Sequence, residues 1–415
     1  MRALLRRRGF RLLWAGQTLS AFGDYAMFLA MGVWAKSLTG SNAVAGLTAL
    51  PFALPALFGP ALGVIVDRFP RRHVMIATDV AAGVAMLTLF FVRDRSDLWI
   101  LFAVALAYGT AVTIYEGARS GLLVGMLPQE QLGDANGLLH ASNQAMRLAA
   151  PLAGAGLFAL LGGHAVATVD AVTFFVSAAL LTAVRTPDLQ RRGDAVHLWR
   201  EIREGIIHIW GTADLRRLTV GLAVLTLLLG VSEVAIYAVV DQGLHRPPAF
   251  LGVILSVQGL GSIGAGVAAG FVLRRLGDLW SIAIAALAGA LAIGLFGTAI
   301  LPLVFVGAVG FGIANTLFNV GYATIMQTRT PLELQGRVMT AVVAIATVPF
   351  LLSLAFGALL ISRVSFRVVY GIEAVGILAL TGFFTWMARD ADRRRAAELA
   401  ALEEVAYAAD SIEAS

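Results

Sequence analysis

The chain has 415 residues, of which 59% are hydrophobic and only 14% are charged, and its mean hydropathy is +0.82. Soluble domains are usually about 25% charged, so the composition indicates a polytopic membrane protein. The chain has no cysteine, which excludes disulfides, thiolate metal sites and thiol catalysis. A net charge of +5 could indicate a nucleic-acid partner, but arginines in short cytoplasmic loops explain it more simply.

Twelve apolar runs of about 20 residues, the length that spans a membrane, follow one another along the chain. They lie at 12–38, 44–66, 74–92, 98–123, 135–161, 165–184, 218–240, 250–273, 279–300, 303–328, 338–361 and 366–387. A signal peptide also begins with basic residues, but the first run is long, carries Asp24 and lacks a small-residue cleavage site. We therefore predict a retained helix. The loops and terminal segments on the same side of the membrane as the N-terminus hold 24 of the 31 basic residues. This bias predicts that both termini are cytoplasmic.

The first run carries Gln17, Ser20 and Asp24 on one face of the predicted helix. An ionisable residue within a membrane span indicates a functional site by default, so Asp24 is a candidate for proton coupling. A buried acid that only bonds to a neighbouring helix would produce the same pattern.

A short polar loop joins the second and third runs, because charges at the centre of a membrane helix cost about 2.5–3.5 kcal/mol each. Its glycine and charged residues are Gly63, Asp67, Arg68, Arg71 and Arg72. The loop is either a topological feature that follows the positive-inside bias, or a gate. In a gate, Asp67 would cap a helix N-terminus or pair with Arg68 or Arg71 when the cytoplasmic side is closed.

The fourth and fifth runs carry charges that need partners. Glu116 and Arg119 lie three residues apart and can face each other, and Asn143 and Arg147 lie four apart. Arg147 lies in the middle of a hydrophobic span, so it needs an anion. The candidates, in order, are Glu116, Asp24 and Asp170. A static ion pair that holds the first bundle together is the competing interpretation.

The longest polar interval, Arg185 to Arg217, divides the runs into six and six. Within it, apolar residues at helical spacing predict an amphipathic helix on the inner membrane face; they are Val196, Trp199, Ile202, Ile206, Ile209 and Trp210. We predict an N-terminal six-helix bundle (1–188), a cytoplasmic linker (189–214), a C-terminal six-helix bundle (215–389) and a cytoplasmic tail (390–415), which we expect to be a solvated helix.

Polar residues inside the later runs are candidates for the substrate cavity. Glu233 is the clearest intramembrane acid of the second half, with Tyr237 one turn on, and a second stripe comprises Asn315, Asn319 and Tyr322. These side chains can bond to a substrate or, equally, to neighbouring helices. Three further acids lie nearer the predicted helix ends, where we expect water to reach them: Asp79, Asp170 and Glu373.

The two halves repeat each other at nearly constant offsets. Pro128-x-Glu130 recurs as Pro331-x-Glu333, 203 positions on, and the 63–72 loop has a weaker counterpart 207 positions on, at 270–278. We infer a duplicated six-helix unit, which places a substrate site between the halves at the middle of the membrane.

Catalytic and metal-binding patterns are absent from the sequence. The six histidines are scattered without metal-ligand spacing, and there is no H-E-x-x-H or G-x-S-x-G. Lys36 is the only lysine, so there is no phosphate-binding P-loop. We expect no metal, no cofactor, no ATP-driven transport and no enzymatic activity.

The 63–72 loop resembles the signature G-x-x-x-D-R-x-G-R-R of the major facilitator superfamily of transporters, with Pro70 where a glycine is usual. The opening Phe10-Arg11-Leu12-Leu13-Trp14-x-Gly16-Gln17, followed by Ser20 and Gly23-Asp24, is similar to the drug-exporter branch that includes macrolide efflux proteins and enterobactin exporters. Ala150-Pro151-x-x-Gly154 partly resembles the G-P-x-x-G motif of the fifth helix in exporters. The resemblance extends from Phe10 to about Arg389.

This resemblance implies an all-α integral membrane protein with twelve transmembrane helices in two six-helix bundles and both termini inside. It also implies a gate in which the 63–72 loop meets the start of the eleventh span, near Gln335–Val338.

The expected function is secondary active transport by alternating access: proton-coupled export of amphipathic compounds such as drugs or siderophores, by a monomer in the inner membrane of a bacterium. Protons would load Asp24, Glu116 or Glu233, with Arg119 and Arg147 as charge partners. The cavity candidates are Gln17, Asn143, Tyr237, Asn315, Asn319 and Tyr322. Import or lipid translocation on the same fold, a receptor or scaffold, and a membrane enzyme are the alternatives.

Overall fold

The structure, a computed structural model, describes residues 2–184, 195–331 and 334–413. Within these ranges the elements are helices, and no strand occurs. After a short helix, Arg2–Arg6, the long helices of the first half are α1 (Arg8–Thr39), α3 (Arg71–Thr88), α4 (Leu98–Met126), α5 (Gln129–Leu161) and α6 (Gly163–Thr182).

Between α1 and α3, the segment 42–68, named α2, is a chain of short helices. These are Asn42–Leu47, Ala49–Ala53, the 3-10 turn Leu54–Phe58 and Gly59–Arg68. Pro51, Pro55 and Pro60 explain the breaks, because proline lacks the amide hydrogen that continues a helix. The segment packs against α4, where Gly109 leaves room for the carbonyl of Phe52.

The second half begins with the linker helix, Ala195–Gly211. It continues with α7 (Ala213–Ala238, extended by a π turn to Gly243), α8 (Leu251–Leu276), α9 (Asp278–Phe296), α10 (Leu301–Thr328), α11 (Gln335–Ile361) and α12 (Phe366–Glu413). At 48 residues, α12 is more than twice the length that crosses a membrane, so its last part forms the tail.

Ten helices of the described part are long and apolar enough to span a membrane. Two of the twelve predicted spans, α1 and α2, are not among them. Gln17, Ser20 and Asp24 lower the mean hydropathy of α1, and α2 is broken into short pieces. The count of twelve and the cytoplasmic placement of both termini therefore stay predictions.

Helix packing follows the same scheme in both halves. In the first half, α1 packs against α5 and α6, α3 packs against α4 and α6, and α2 packs against α4. In the second half, α7 packs against α11 and α12, α9 packs against α10 and α12, and α8 packs against α10. Adding six to the helix numbers of each pair in the first half gives a pair in the second half. A duplicated unit requires this correspondence. The predicted boundary at 188 lies outside the described residues.

Contacts between the halves concentrate at the end of the bundle where α1 ends and α2 begins, which we name the closed side. There a Cβ on Gly32 of α1 would lie 2.7 Å from Cζ of Tyr237 in α7, and Gly46 of α2 packs on Val234. The N-terminal part of α8 packs against the C-terminal part of α5. Small residues let the two bundles approach closely.

An ion pair joins the halves at the closed side. Lys36 Nζ of α1 lies 2.7 Å from Asp241 Oδ2, beyond the end of α7, and donates a second hydrogen bond to the carbonyl of Gly40. Asn42 Nδ2 also donates to Asp241, at 3.3 Å. The Lys36 side chain is only 9% exposed, so the sole lysine of the chain is used to hold this side together.

On the opposite side, the linker helix packs against α11. Its Ile209 is fully buried, whereas Ile206 and Trp210 are exposed, an apolar face of the kind that interfacial helices present. The side chains of Val196, Trp199 and Ile202 lie outside the described part.

The first turns of the tail form ion pairs with the second half, although most of their side chains are exposed, as expected for a solvated helix. Asp390 pairs with Arg217 at 2.8 Å, Arg394 pairs with Asp214 at 2.7 Å, and Trp280 donates to Asp392 at 2.9 Å. The charges of this segment therefore fasten α12 to α7 and α9.

We predict that Gly154→Ala destabilises the protein, whereas Gly156→Ala on the same helix does not. A Cβ at position 154 would lie 2.8 Å from Cα of Ala26 in α1, and overpacking costs about 1–3 kcal/mol. A Cβ at position 156 meets no atom within 4 Å, and alanine is favoured over glycine inside a helix by about 0.5–1 kcal/mol. Melting temperatures in detergent, followed by size-exclusion chromatography, compare both variants with the parent. Equal melting temperatures would contradict this packing of α5 on α1.

Candidate functional site

A small polar cavity, named here the N-terminal chamber, lies inside the first half. Its volume is about 60 Å³, which is room for about two water molecules at ~30 Å³ each. Its polar lining comprises Gln17, Ser20, Asp24, Thr78, Asp79, Tyr108, Tyr115, Glu116 and Asn143. Residues predicted separately as a proton site and as cavity walls therefore share one enclosure.

Asp24 lies in this chamber because α1 turns the predicted stripe inward. Gln17 and Ser20 are buried, at 8% and 7% exposure, and Tyr108 of α4 is the hydrogen-bonding neighbour of the Asp24 carboxyl. Oε1 of Gln17 and Oδ1 of Asp24 are buried without a hydrogen-bond partner in the described ranges. Since buried polar groups are nearly always bonded, these two atoms are exceptions, and both belong to residues that line the chamber.

Two acids expected to meet water are in fact buried: Asp79 is 2% exposed and Asp170 is 0% exposed. The expectation was wrong because α3 begins at Arg71 and α6 at Gly163, so both acids lie well inside their helices. Asp79 lines the chamber, with its Oδ2 unpartnered in the described ranges, and Asp170 lies against Gly23 of α1, the residue before Asp24.

The Glu116–Arg119 pair predicted from the spacing is present, and it forms an ion pair within α4. Its side chains are 47% and 21% exposed, respectively. Glu116 is therefore occupied by Arg119, and the predicted pairing of Arg147 with Glu116 was wrong. None of the described acids lies within 4.0 Å of the Arg147 guanidinium.

Arg147 acts across the two halves. The acid on which its charge acts most clearly is Glu233 of α7, and close by, Tyr25 of α1 donates to Asn143 Oδ1 at 2.6 Å. Glu233 is exposed although it lies in the middle of its helix. One turn on, Tyr237 touches α1 at Gly32, so this face of α7 is turned toward the first half. Arg147 is exposed as well, and we name the region between Arg147 and Glu233 the central cleft.

The other cavity candidates of the second half differ in their exposure. Asn319 is exposed and donates to the carbonyl of Asn315 at 2.8 Å, whereas Tyr322 is 6% exposed and stacks on Phe318. Tyr322 therefore belongs to the core of the second half. Tyr237 is 9% exposed and seals the contact between the halves.

The 63–72 loop is tied to its own half. The turn lies between Arg68, which ends α2, and Arg71, which begins α3. Arg72 donates to the carbonyls of Leu181, at 2.8 Å, and Thr182 at the end of α6, where the helix dipole favours cations. Arg71 donates to the carbonyl of Gly117 at 3.4 Å.

The predicted gate is not tested by this arrangement. The Asp67 side chain lies outside the described part, Arg68 is exposed, and a Cβ on Gly63 would meet no atom within 4 Å. At the expected partner segment, Arg337 pairs with Glu204 of the linker helix.

Glu373, the third acid given little weight from sequence, is 3% exposed within α12. Ser232 Oγ donates to its Oε1, and its Oε2 has no partner in the described ranges. The signal that could have found it is the repeat, because Glu373 lies 203 positions after Asp170.

Comparisons with known proteins agree on one family. The family model described as Major Facilitator Superfamily matches residues 13–240, more than half of the chain. The chain is 25% identical over 372 residues to the uncharacterized MFS-type transporter YfiS of Bacillus subtilis (strain 168), covering 85% of this chain and 87% of the relative. It is 27% identical over 202 residues to macrolide efflux protein A of Streptococcus pyogenes, covering 48% and 50%. The match to the efflux protein thus spans half of its length.

Among solved structures, the chain is similar to a bacterial homologue of the iron transporter ferroportin in an inward-facing state. The TM-score is 0.72 at 19% identity, over 92% of this chain and 98% of the other. The match is in the fold alone. The family is one of transporters and not of enzymes. The family match and the two matched helical halves lead to one conclusion: the chain belongs to the major facilitator superfamily.

Proposed function

We propose that this chain is a secondary active exporter that exchanges protons for amphipathic small molecules by alternating access. The observation that carries the proposal is Asp24, an acid in the middle of the long helix α1, with a buried carboxyl oxygen that lacks a partner in the described ranges and a chamber of water size beside it.

Protons suit this site because an ionised carboxylate without a partner is costly in the protein interior. Binding a proton removes the charge, and water in the chamber would supply a path. Each proton that moves inward supplies about 2.3 kcal/mol per 100 mV of membrane potential. Glu116 is the weaker candidate, because Arg119 already neutralises it.

Alternating access follows from the uneven contact between the halves. The closed side is held by Lys36–Asp241 and by close glycine contacts, whereas Arg147 of the first half and Glu233 of the second are both exposed and the charge of Arg147 acts on Glu233. A proton on Glu233 would cancel its attraction to Arg147 and change which side the halves prefer to open. With cytoplasmic termini, the closed side is the outer face of the bacterial inner membrane, and the 63–72 loop is the gate on the inner face.

Export is favoured over import by the relative named as a macrolide efflux protein. The central cleft holds one cation, Arg147, and one acid, Glu233, and a single cation favours amphipathic substrates over highly charged anions. An importer or a lipid translocator on the same fold is the second candidate.

We predict that a labelled macrolide accumulates in inside-out vesicles that contain this chain when their interior is made acidic. Protons then leave the vesicle in the direction in which they enter the cell, and the substrate moves the opposite way. A protonophore should abolish the accumulation, and vesicles without the chain are the control. Accumulation that survives the protonophore would contradict proton coupling. Uptake only into right-side-out vesicles with an acidic exterior would indicate import.

We predict that Asp24→Asn lowers this accumulation by at least about tenfold for a gradient of one pH unit, since one pH unit is worth a factor of ten per coupled proton. Exchange of labelled for unlabelled substrate without a gradient should persist, because asparagine preserves the shape of the site. The matched control is Asp94→Asn, in the loop between α3 and α4. The side chain is exposed there, and the asparagine side-chain oxygen can still accept the hydrogen bond from the Ser96 backbone amide. Full accumulation in the Asp24 variant rules out this acid as a coupling residue.

A further inference from the structure

We propose that the chain holds two equivalent proton sites, one in each half, each formed by a pair of carboxyl groups. The pairs are Asp24 with Asp170, and Glu233 with Glu373. The inference rests on the proposed function, and it adds two acids and a second site.

In the first half, the pair is brought together by a glycine. Asp24 lies on α1 and Asp170 on α6, which pack against each other. A Cβ on Gly23 would lie 3.1 Å from Cα of Asp170 and would collide with its Oδ1. Gly23 therefore leaves the space that the Asp170 carboxyl occupies, one residue before Asp24.

In the second half, a serine lies at the position that corresponds to Gly23. Glu233 lies on α7 and Glu373 on α12, which also pack against each other. Ser232, one residue before Glu233, donates a hydrogen bond to the Glu373 carboxyl. The charge of Glu233 acts on Glu373, as the charge of Asp24 acts on Asp170.

The repeat makes these pairs equivalent. α7 has the same place in the second half as α1 has in the first, and α12 has the place of α6. Glu233 follows Asp24 by 209 positions and Glu373 follows Asp170 by 203, close to the offsets of the repeated loops. In both halves, the residue before the acid of the first helix touches the acid of the last helix.

Unpartnered oxygen atoms indicate that each pair binds something that other side chains do not supply. Asp170 and Glu373 are 0% and 3% exposed, and each keeps one carboxyl oxygen without a partner in the described ranges. None of the four acids makes an ion pair there. A buried carboxyl group without a cation, with another acid next to its contact residue, favours its protonated form, so a proton is the ligand that fits.

The surroundings of the pairs contain few charges. Around the first pair they are Asp79 on α3, Tyr108 and Glu116 on α4, and Tyr25 on α1. Around the second pair they are Tyr237, Tyr370 and, across the central cleft, Arg147. The first pair is thus beside the N-terminal chamber and the second beside the cleft, so the account requires two protons for each substrate molecule.

The number of protons is tested with the purified full chain in proteoliposomes, with a labelled macrolide and the membrane potential clamped at zero. At a gradient of one pH unit, two coupled protons give about 100-fold accumulation at steady state, and one gives about tenfold. The parent chain should show about 100-fold, and each double variant, Asp24→Asn/Asp170→Asn or Glu233→Gln/Glu373→Gln, about tenfold. Accumulation near tenfold in the parent would overturn the second site. No accumulation in the parent would instead refute proton coupling itself.

Whether Asp170 and Glu373 belong to the two proton sites is tested by the pH dependence of substrate exchange. Removing a neighbouring negative charge makes protonation harder, so Asp170→Asn and Glu373→Gln should shift the midpoint to more acidic pH. Ser232→Ala removes a hydrogen bond to a carboxylate and should shift it to more alkaline pH. General damage to the fold would not shift the midpoints in opposite directions. Midpoints of Asp170→Asn and Glu373→Gln equal to those of the parent and of Asp94→Asn would overturn the pairs.

Discussion

Carboxyl groups that are held away from water without a cation constrain the rest of this structure. Three cations of the chain are committed elsewhere: Arg119 pairs with Glu116, Arg72 binds the end of α6, and Lys36 binds Asp241. Asp24, Asp79 and Asp170 are left together inside the first half. Such a cluster is tolerable only if its charge can be cancelled, and a reversible way to cancel it is to bind protons.

Small residues make the two halves firm bodies that can still separate. Within a half, glycine allows backbones to touch, as Gly154 does against Ala26. Between the halves, the closed side adds an ion pair that is only partly buried, with side-chain exposures of 9% and 40%. Ion pairs of this kind contribute little net stability, because desolvation offsets the attraction. A contact of small net strength suits an interface that must open in every cycle.

Hydropathy, charge spacing and the repeat predicted the helical fold, the Glu116–Arg119 pair and the inward stripe of α1, because these depend on residues close in sequence or on the duplication. The burial of Asp79 was missed because the predicted run began at residue 74, whereas α3 begins at Arg71. The approach of Arg147 to Glu233 and of Gly23 to Asp170 could not be predicted, since each depends on how distant helices pack. Hydropathy also does not predict that α2 is broken into short helices, and its prolines are the only sign of these breaks in the sequence.

The central claim is that protons decide which side of the protein is open. The chain has no cysteine, so one introduced at exposed Ser120 in α4 and one at exposed Thr328 in α10 can be spin-labelled without further changes. Double electron–electron resonance in lipid nanodiscs at pH 8 and pH 5.5 would then measure the distance between the two labels. This distance reports the separation of the halves on the side opposite the closed side. The account predicts two distance populations whose ratio changes with pH, and a fixed ratio when all four paired acids are replaced by their amides. An identical distribution at both pH values in the parent chain would contradict it.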